Sequence, residues 1–272
     1  MYDKYKANRP PTPEDLVPQF PLTREATCAF NISCKEVEGY EADDIIATLA
    51  TQARNAGGSC TIISSDKDMM QLVGDGVFML DAMKNKLIDR EGVVEKFGVY
   101  PERVVDVQAL AGDSADNVPG APGIGIKTAA LLVNEYNTLE ELLDRAHEIK
   151  QPKRRESLLD NRAQIELSKR LVQLDCDMDL DFTLDDLEVM DPVPKDLLSF
   201  LAKMEFRTLT KRLAEQIGAE APLIESSVEA EQNNVSPKAP PIDSEKYETI
   251  CDASALQRWI DSAYSRGFVA ID

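Results

Sequence analysis

The chain holds 272 residues and 30.1 kDa, enough for one large or two modest domains with a buried core. Hydrophobic residues make up 43% and charged residues 29%, and no run approaches the roughly 20 apolar residues of a membrane helix, which excludes a membrane-spanning protein. The formal net charge of -19, from 49 acidic and 30 basic residues, argues against a general affinity for polyanions and leaves only a local basic face to carry one.

The opening residues have no apolar stretch after their positive charges, so they are not a secretory signal, and a cytoplasmic protein is expected. Residues 1–21 carry five of the fifteen prolines (Pro10, Pro11, Pro13, Pro18, Pro21), which predicts an extended or turn-rich start without a core strand. From Glu41 a helix runs through Asp44 to Ala50 and ends at Gly57-Gly58, followed by the buried-strand run Cys60-Thr61-Ile62-Ile63. A helical turn over Met69 to Val73 leads to a second strand, Val77 to Leu80, and the pair predicts α/β layering on a parallel sheet.

From Glu91 to about Gly218 the period is helical, with Pro101 at a helix start and breaks at Gly112 to Gly125, at Gln151-Pro152 and at Asp175 to Asp181. Residues 219–245, rich in Pro, Glu, Ser and Asn, read as a linker. Residues 246–272 read as a strand, a helix over Ala253 to Ser265 holding the single Trp, and the start of another strand at Phe268 to Asp272.

Five cysteines without a CxxC pair indicate neither a disulfide framework nor a zinc site, and the single histidine, His147, on an exposed helix, removes histidine-based chemistry. What remains is carboxylate. Glu41, Asp43 and Asp44 stand in YEADD, Asp66 and Asp68 in SSDKD, and Asp113 and Asp116 in GDSADN, each at an element boundary. Asp66 and Asp68 follow the buried strand at i,i+2, so persistent extended geometry would project both from one side at the sheet edge where sites form. Glu41 with Asp44, and Asp113 with Asp116, share a face at i,i+3. Such carboxylates repel one another unless hard cations such as Mg²⁺ or Mn²⁺ neutralise them, and two such ions suit phosphodiester hydrolysis. Helix-start charges and an N-cap are the plainer reading of each group taken alone.

The glycine-rich stretch Asn117 to Thr128 leads into a helix over Ala129 to Tyr136. Ile126 between Gly125 and Lys127 breaks a P-loop, whereas a helix-hairpin-helix turn fits, with Gly123 and Gly125 letting backbone N–H groups approach a phosphate. A tight connection between packed helices is the alternative. Between Lys150 and Arg170 seven basic residues face three acidic ones, a local basic face or an ordinary solvated helix surface. Asp175, Asp177, Asp179 and Asp181 lack the glycine of a calcium loop and read as an acidic solvent face.

YEADD, SSDKDMMQLV, GDSADNVPG and PGIGIKTA, in this order and spacing, resemble the 5'-3' exonuclease domain of bacterial DNA polymerase I, a flap-endonuclease relative. The resemblance implies an α/β, parallel-sheet (PIN/resolvase-like) nuclease core over residues 1–100, with an arch remnant at 1–22, and an all-helical helix-hairpin-helix region over 101–218. Residues 246–272 would open a 3'-5' exonuclease-like domain.

By the same resemblance Glu41, Asp43, Asp66, Asp68, Asp113 and Asp116 are metal ligands, with Asp44 acting through water. Lys6 and Arg9 steer and polarise the scissile phosphate. Gly120, Gly123, Ile124, Gly125, Lys127 and Thr128 grip duplex DNA, with a K⁺ ion held by loop carbonyls. The partners implied are 5'-flap, nicked or branched DNA and a covalently continuous polymerase region, for a monomeric protein associated with the bacterial nucleoid.

The family's first strand with its aspartate, and a second aspartate before the arch, would stand upstream of Met1. The chain is therefore expected to read as truncated at both ends, with the first metal's ligands missing and a sheet short of one member, exposing apolar surface and unpaired backbone. Two functions follow as expectations: a two-metal nuclease that removes flaps and primers, or a module that binds DNA without cutting it.

Overall fold

The computed structural model describes residues 2–220 and 248–267, which fall into two compact units, one ending at Pro222 and the other beginning at Leu223. The expected linker at 219–245 and the expected strand at 268–272 lie almost wholly outside the described residues. No described helix is long and apolar enough to cross a membrane.

The proline-rich start forms turns up to Pro18, as its composition requires, and then enters a helix that the sequence did not announce, α1 (Gln19–Ala29). None of its residues is buried. It is held from a distance, by packing of Ala26, Ala29 and Phe30 on Leu197, Phe200 and Leu201, and by Lys203 Nζ on Glu25 Oε1 at 2.8 Å.

Helix α2 (Ala42–Asn55) buries Ile45, Ala47, Thr48 and Ala50 and ends before Gly57, whose φ of +76° only glycine adopts at low cost. It feeds β1 (Cys60–Ile63), which pairs in parallel with β2 (Val77–Asp81) from Cys60 opposite Val77 to Ile63 opposite Leu80. A third strand, β3 (Lys86–Ile88), adds to β2 antiparallel, so the sheet is mixed rather than purely parallel.

Alternation divides the sheet into two unlike faces. Ile62, Val77, Met79 and Ile88 are buried in the core, while Ile63, Phe78 and Leu87, on the other face, are 68%, 36% and 56% exposed. β1 is an edge strand of this sheet, and its outer face carries the exposed Ile63.

The helical part begins with α3 (Arg90–Phe97), N-capped by Asp89, and a 3₁₀ turn opened by Pro101. It continues through α4 (Val104–Ala111), α5 (Ile126–Tyr136), α6 (Leu139–Asp144), α7 (Pro152–Asp160), α8 (Arg162–Val172), α9 (Pro194–Lys203) and α10 (Arg207–Ile217). The expected breaks at Gly112 to Gly125 and at Gln151-Pro152 are present, and the one expected at Asp175 to Asp181 widens to 173–193, interrupted only by a 3₁₀ turn (Leu184–Leu187). One hydrophobic core runs unbroken from Ala47 on α2 through the sheet to Ile165 on α8, so the α/β layer and the helical region are packed as one body.

In the second unit α11 (Ala253–Arg266) is N-capped by Asp252, whose Oδ1 accepts the Ala255 N–H at 2.8 Å. Residues 248–252, the described part of the stretch expected to open as a strand, are not in a strand. Glu248 instead accepts from Trp259 Nε1 at 2.9 Å and from Arg258 at 2.8 Å.

Candidate active site

The N-terminal segment, the first turn of α2 and residues 170–176 enclose a cleft of about 820 Å³, which Asp66 and Asp113 do not line. Glu41, Asp43, Asp44, Asp68, Asp116 and Asp175 line it, with Arg170 and the rings of Tyr2, Tyr5 and Tyr40. Five of these six carboxylates belong to the three acidic motifs. Arg170, from the last turn of α8, and Asp175, from the segment after it, are additions.

After β1 the backbone is still extended at Asp66 and then turns. A 3₁₀ helix (Lys67–Leu72) starts at once, with Asp66 as its N-cap, and Asp66 Oδ1 accepts the Asp68 N–H at 3.0 Å. The two carboxylates are therefore joined through a cap rather than projected from one strand face. Asp68 turns inward and accepts a hydrogen bond from Gln108 Nε2 on α4 at 2.5 Å, while Gln108 Oε1 is buried with no partner. Burial, followed by the neighbouring Asp66 charge, pushes Asp68 up to about 6. Burial also raises Asp43, with Asp66 and Glu41 adding to it.

Asp113 and Asp116 ride on a loop with a closed neck. Asp113 and Val118 exchange backbone hydrogen bonds at 2.9 and 2.7 Å, and at that neck Gly112 (φ +69°) and Gly120 (φ +59°) cross without room for a Cβ on either. The N-terminal segment is stitched over the loop by Lys6 N–H to the Asp116 carbonyl at 2.9 Å, Asn117 Nδ2 to the Lys4 carbonyl at 2.6 Å and Asn8 Nδ2 to the Ser114 carbonyl at 2.7 Å.

Cations already neutralise part of the cluster. Lys6 Nζ binds Glu41 at 2.5 Å and lies 4.0 Å from Asp116, which also receives Arg9 at 2.5 Å, and Lys67 Nζ sits 2.7 Å from Asp113 Oδ2. Burial works against the ionised Asp113, but Lys67 and the Ala115 N–H outweigh it and hold its carboxyl below the usual range. Lys6 is partly desolvated, yet its bond to Glu41 raises its pKa. Asp44 has a structural task, accepting the Asp175 N–H at 2.9 Å and so fixing the segment after α8.

Among the described residues no three carboxylates converge closely enough to hold a metal ion in this arrangement. The donor set nevertheless fits a hard divalent cation. It is all oxygen, Asp43 and Asp68 carry poorly compensated charge, and the orphaned Gln108 oxygen offers an acceptor for water beside Asp68.

The glycine turn divides in two. Gly120 is internal: its N–H donates to Ser168 Oγ at 3.0 Å and its carbonyl accepts from Gln164 at 2.7 Å, so it braces the loop neck and is not free for DNA. Ile124 is buried in the core and can offer only backbone outside. Gly123 and Gly125 would meet nothing within 4 Å if given a Cβ, so internal packing does not explain them. They precede α5, whose N-cap is Gly125 and whose first turn has no acidic residue, leaving its N–H groups, Lys127 and Thr128 at the surface. Ser157 Oγ bonds the Pro122 carbonyl at 2.7 Å and so sets α7 beside this turn. The basic face is only partly available, because Arg162 pairs with Asp144 and Glu166, and Lys169 with Asp106 and Glu140.

Residues 1–98 match the family described as 5'-3' exonuclease, N-terminal resolvase-like domain, and residues 99–195 match its C-terminal SAM fold. A 5'-3' exonuclease of Aquifex aeolicus is 36% identical over 213 residues, covering 78% of this chain and 72% of that protein. The chain belongs to the 5'-3' exonuclease family. DNA polymerase I of Rhizobium leguminosarum is 52% identical over 252 residues, and the 5'-3' exonuclease chain spans 25% of that protein's length. Among solved structures, bacteriophage T5 5'-exonuclease with zinc ions bound shares the fold at a TM-score of 0.58 and 23% identity, over 63% of this chain and 68% of that one. The same phage enzyme in a complex with DNA and metal ions aligns at 0.57 over 63% and 67% of the two chains.

Proposed function

We propose that this protein is the metal-dependent, structure-specific 5' nuclease portion of a DNA polymerase I, acting as a monomer on 5'-flap, nicked or branched DNA. The observation that carries this reading is that Glu41, Asp43, Asp44, Asp68 and Asp116, drawn from all three acidic motifs, line one cleft, with a solvent-facing glycine turn on the same loop as Asp113 and Asp116. Relatives crystallised with DNA and with zinc support it.

Asp66, Asp68, Asp113 and Asp116 would hold one Mg²⁺ or Mn²⁺, and Glu41 and Asp43 face a second. Such ions polarise the phosphate and lower the pKa of water. The α5 N-terminus, Gly123, Gly125, Lys127 and Thr128 bind the duplex backbone, with K⁺ as a further ligand of the loop carbonyls. Lys6 and Arg9 leave their carboxylate partners to hold the scissile phosphate. Among the described residues no serine or histidine lines the cleft, and the Cys176 thiol there donates to the Leu174 carbonyl, so cleavage proceeds without a covalent intermediate.

Binding without cleavage is the second reading. It is favoured by the ion pairs of Lys6 with Glu41, Arg9 with Asp116 and Lys67 with Asp113, which compensate these carboxylates within the protein.

The DNA contact has its own test. Gly125→Ala should leave stability within about 0.5 kcal/mol, because its φ of -95° is open to alanine and the space is empty, yet weaken flap-duplex binding several-fold. Lys127→Ala should lower the slope of log affinity against log salt by about 1. Anisotropy titration of a labelled duplex checks both, and unchanged binding in both variants would remove the turn from the DNA interface.

A further inference from the structure

A second basin is linked to the carboxylate motifs through Lys67. It is a cavity of about 270 Å³ between the 65–67 turn, the β2–β3 hairpin and α3. Lys67, Lys84, Lys86 and Lys96 form its charged wall, opposed only by Asp81 and Glu95, in a chain whose net charge is -19.

The two carboxylates orient the lysines without hiding them. Lys84 Nζ lies 3.1 Å from Asp81 and Lys86 Nζ 2.7 Å from Glu95, while the lysine side chains stay 74% and 53% exposed. Asp81 is itself fixed by the N–H groups of Met83 and Lys84 at 3.1 and 3.2 Å. Lys67 is the divider, lining the basin while its ammonium reaches Asp113. The turn that presents Asp68 to the cleft thus presents Ser65 and Lys67 to the basin.

The wall has lysines but no arginine and no aromatic ring. It offers neither a planar fork for a base edge nor a face for stacking, only point charges of the kind that bind phosphate irrespective of sequence. We infer that this basin is a backbone-phosphate subsite for nucleic acid, holding a DNA strand as it leaves the carboxylate cleft. The inference rests on the nuclease reading above and adds the path of the strand.

Anisotropy of a labelled 5'-flap duplex, titrated in EDTA between about 50 and 200 mM salt, tests it. The wild-type chain is compared with Lys84→Ala/Lys86→Ala/Lys96→Ala and, separately, with Glu95→Gln, which releases Lys86. The triple variant removes only exposed groups and should keep its melting temperature, while its salt slope falls by about 2 to 3 and its affinity by at least about tenfold. Glu95→Gln should tighten binding a few-fold. Wild-type binding with both variants unchanged overturns the subsite alone. Absence of salt-dependent binding by the wild type overturns the subsite together with the DNA-directed reading.

Discussion

Replacing Asp68 by asparagine should make the metal-free protein more stable and the nuclease inert. Asp68 keeps its proton up to about pH 6, whereas in the unfolded chain it ionises near 4. Below about pH 4 the proton is bound in both states and burial carries no penalty. As pH rises through 6 the folded state must ionise a desolvated carboxyl beside Asp66, so stability is lost over that window. Asparagine keeps the oxygen that accepts from Gln108 and removes the charge. At pH 8 Asp68→Asn should therefore gain about 1–2 kcal/mol, after allowance for solvent screening of a partly exposed group, or roughly 3–6 °C in melting temperature. The gain should vanish near pH 4. Added Mg²⁺ should stabilise the wild type and narrow the gap. Cleavage should fall by at least about 10³-fold, the equivalent of about 4 kcal/mol of lost charge stabilisation. Thermal melts at pH 4 and 8, with and without Mg²⁺, check this, and a variant less stable than wild type at pH 8 would contradict the account of Asp68.

The second large effect belongs to the loop neck. An alanine Cβ at Gly120 would overlap the Gly112 backbone, lying 2.7 Å from its Cα, and one at Gly112 would lie 2.6 Å from the Val118 carbonyl oxygen. Both residues have positive φ, which costs about 1–2 kcal/mol for alanine, and overpacking adds about 1–3 kcal/mol. Either substitution should lower stability by about 2–5 kcal/mol and disturb Asp113 and Asp116, abolishing cleavage. The double variant should cost less than the sum, because one contact is broken twice. Denaturant unfolding of the three variants, with Gly125→Ala as an unstrained control, gives the comparison. A Gly120→Ala protein of wild-type stability would show that the neck is not a constraint.

Much of this was legible in the sequence because the signals were local. Cys60–Ile63 is a short apolar run bounded by glycines and acids, and it forms the strand over those same residues. The carboxylate motifs sit at element ends, so the fold alone brings most of them to one cleft. What the sequence hid is long-range. The Lys67 partner of Asp113, the Gln108 partner of Asp68 and the Asp175 partner of Asp44 come from elements distant in the chain, and no spacing rule encodes them. Helix α1 has no buried residue of its own, so its apolar pattern is weak, and its partner α9 lies more than 160 residues on. Strand β3 has three residues and one buried side chain, too little for alternation to show. The reading of Gly120 as a DNA contact failed because the turn looks uniform in sequence, while its glycines have two duties, closure of a neck and exposure of backbone.

The central claim is that this carboxylate cleft cuts DNA when a divalent ion displaces its lysine and arginine partners. Cleavage of an end-labelled 5'-flap duplex by the purified chain, in Mg²⁺, Mn²⁺ or EDTA and beside the Asp116→Asn variant, tests it most directly. Cutting near the junction that requires the metal and is lost in the variant is the expected result. Tight, salt-sensitive binding with no product in either metal would contradict it, and would establish a protein that grips DNA by its glycine turn and leaves the strand intact.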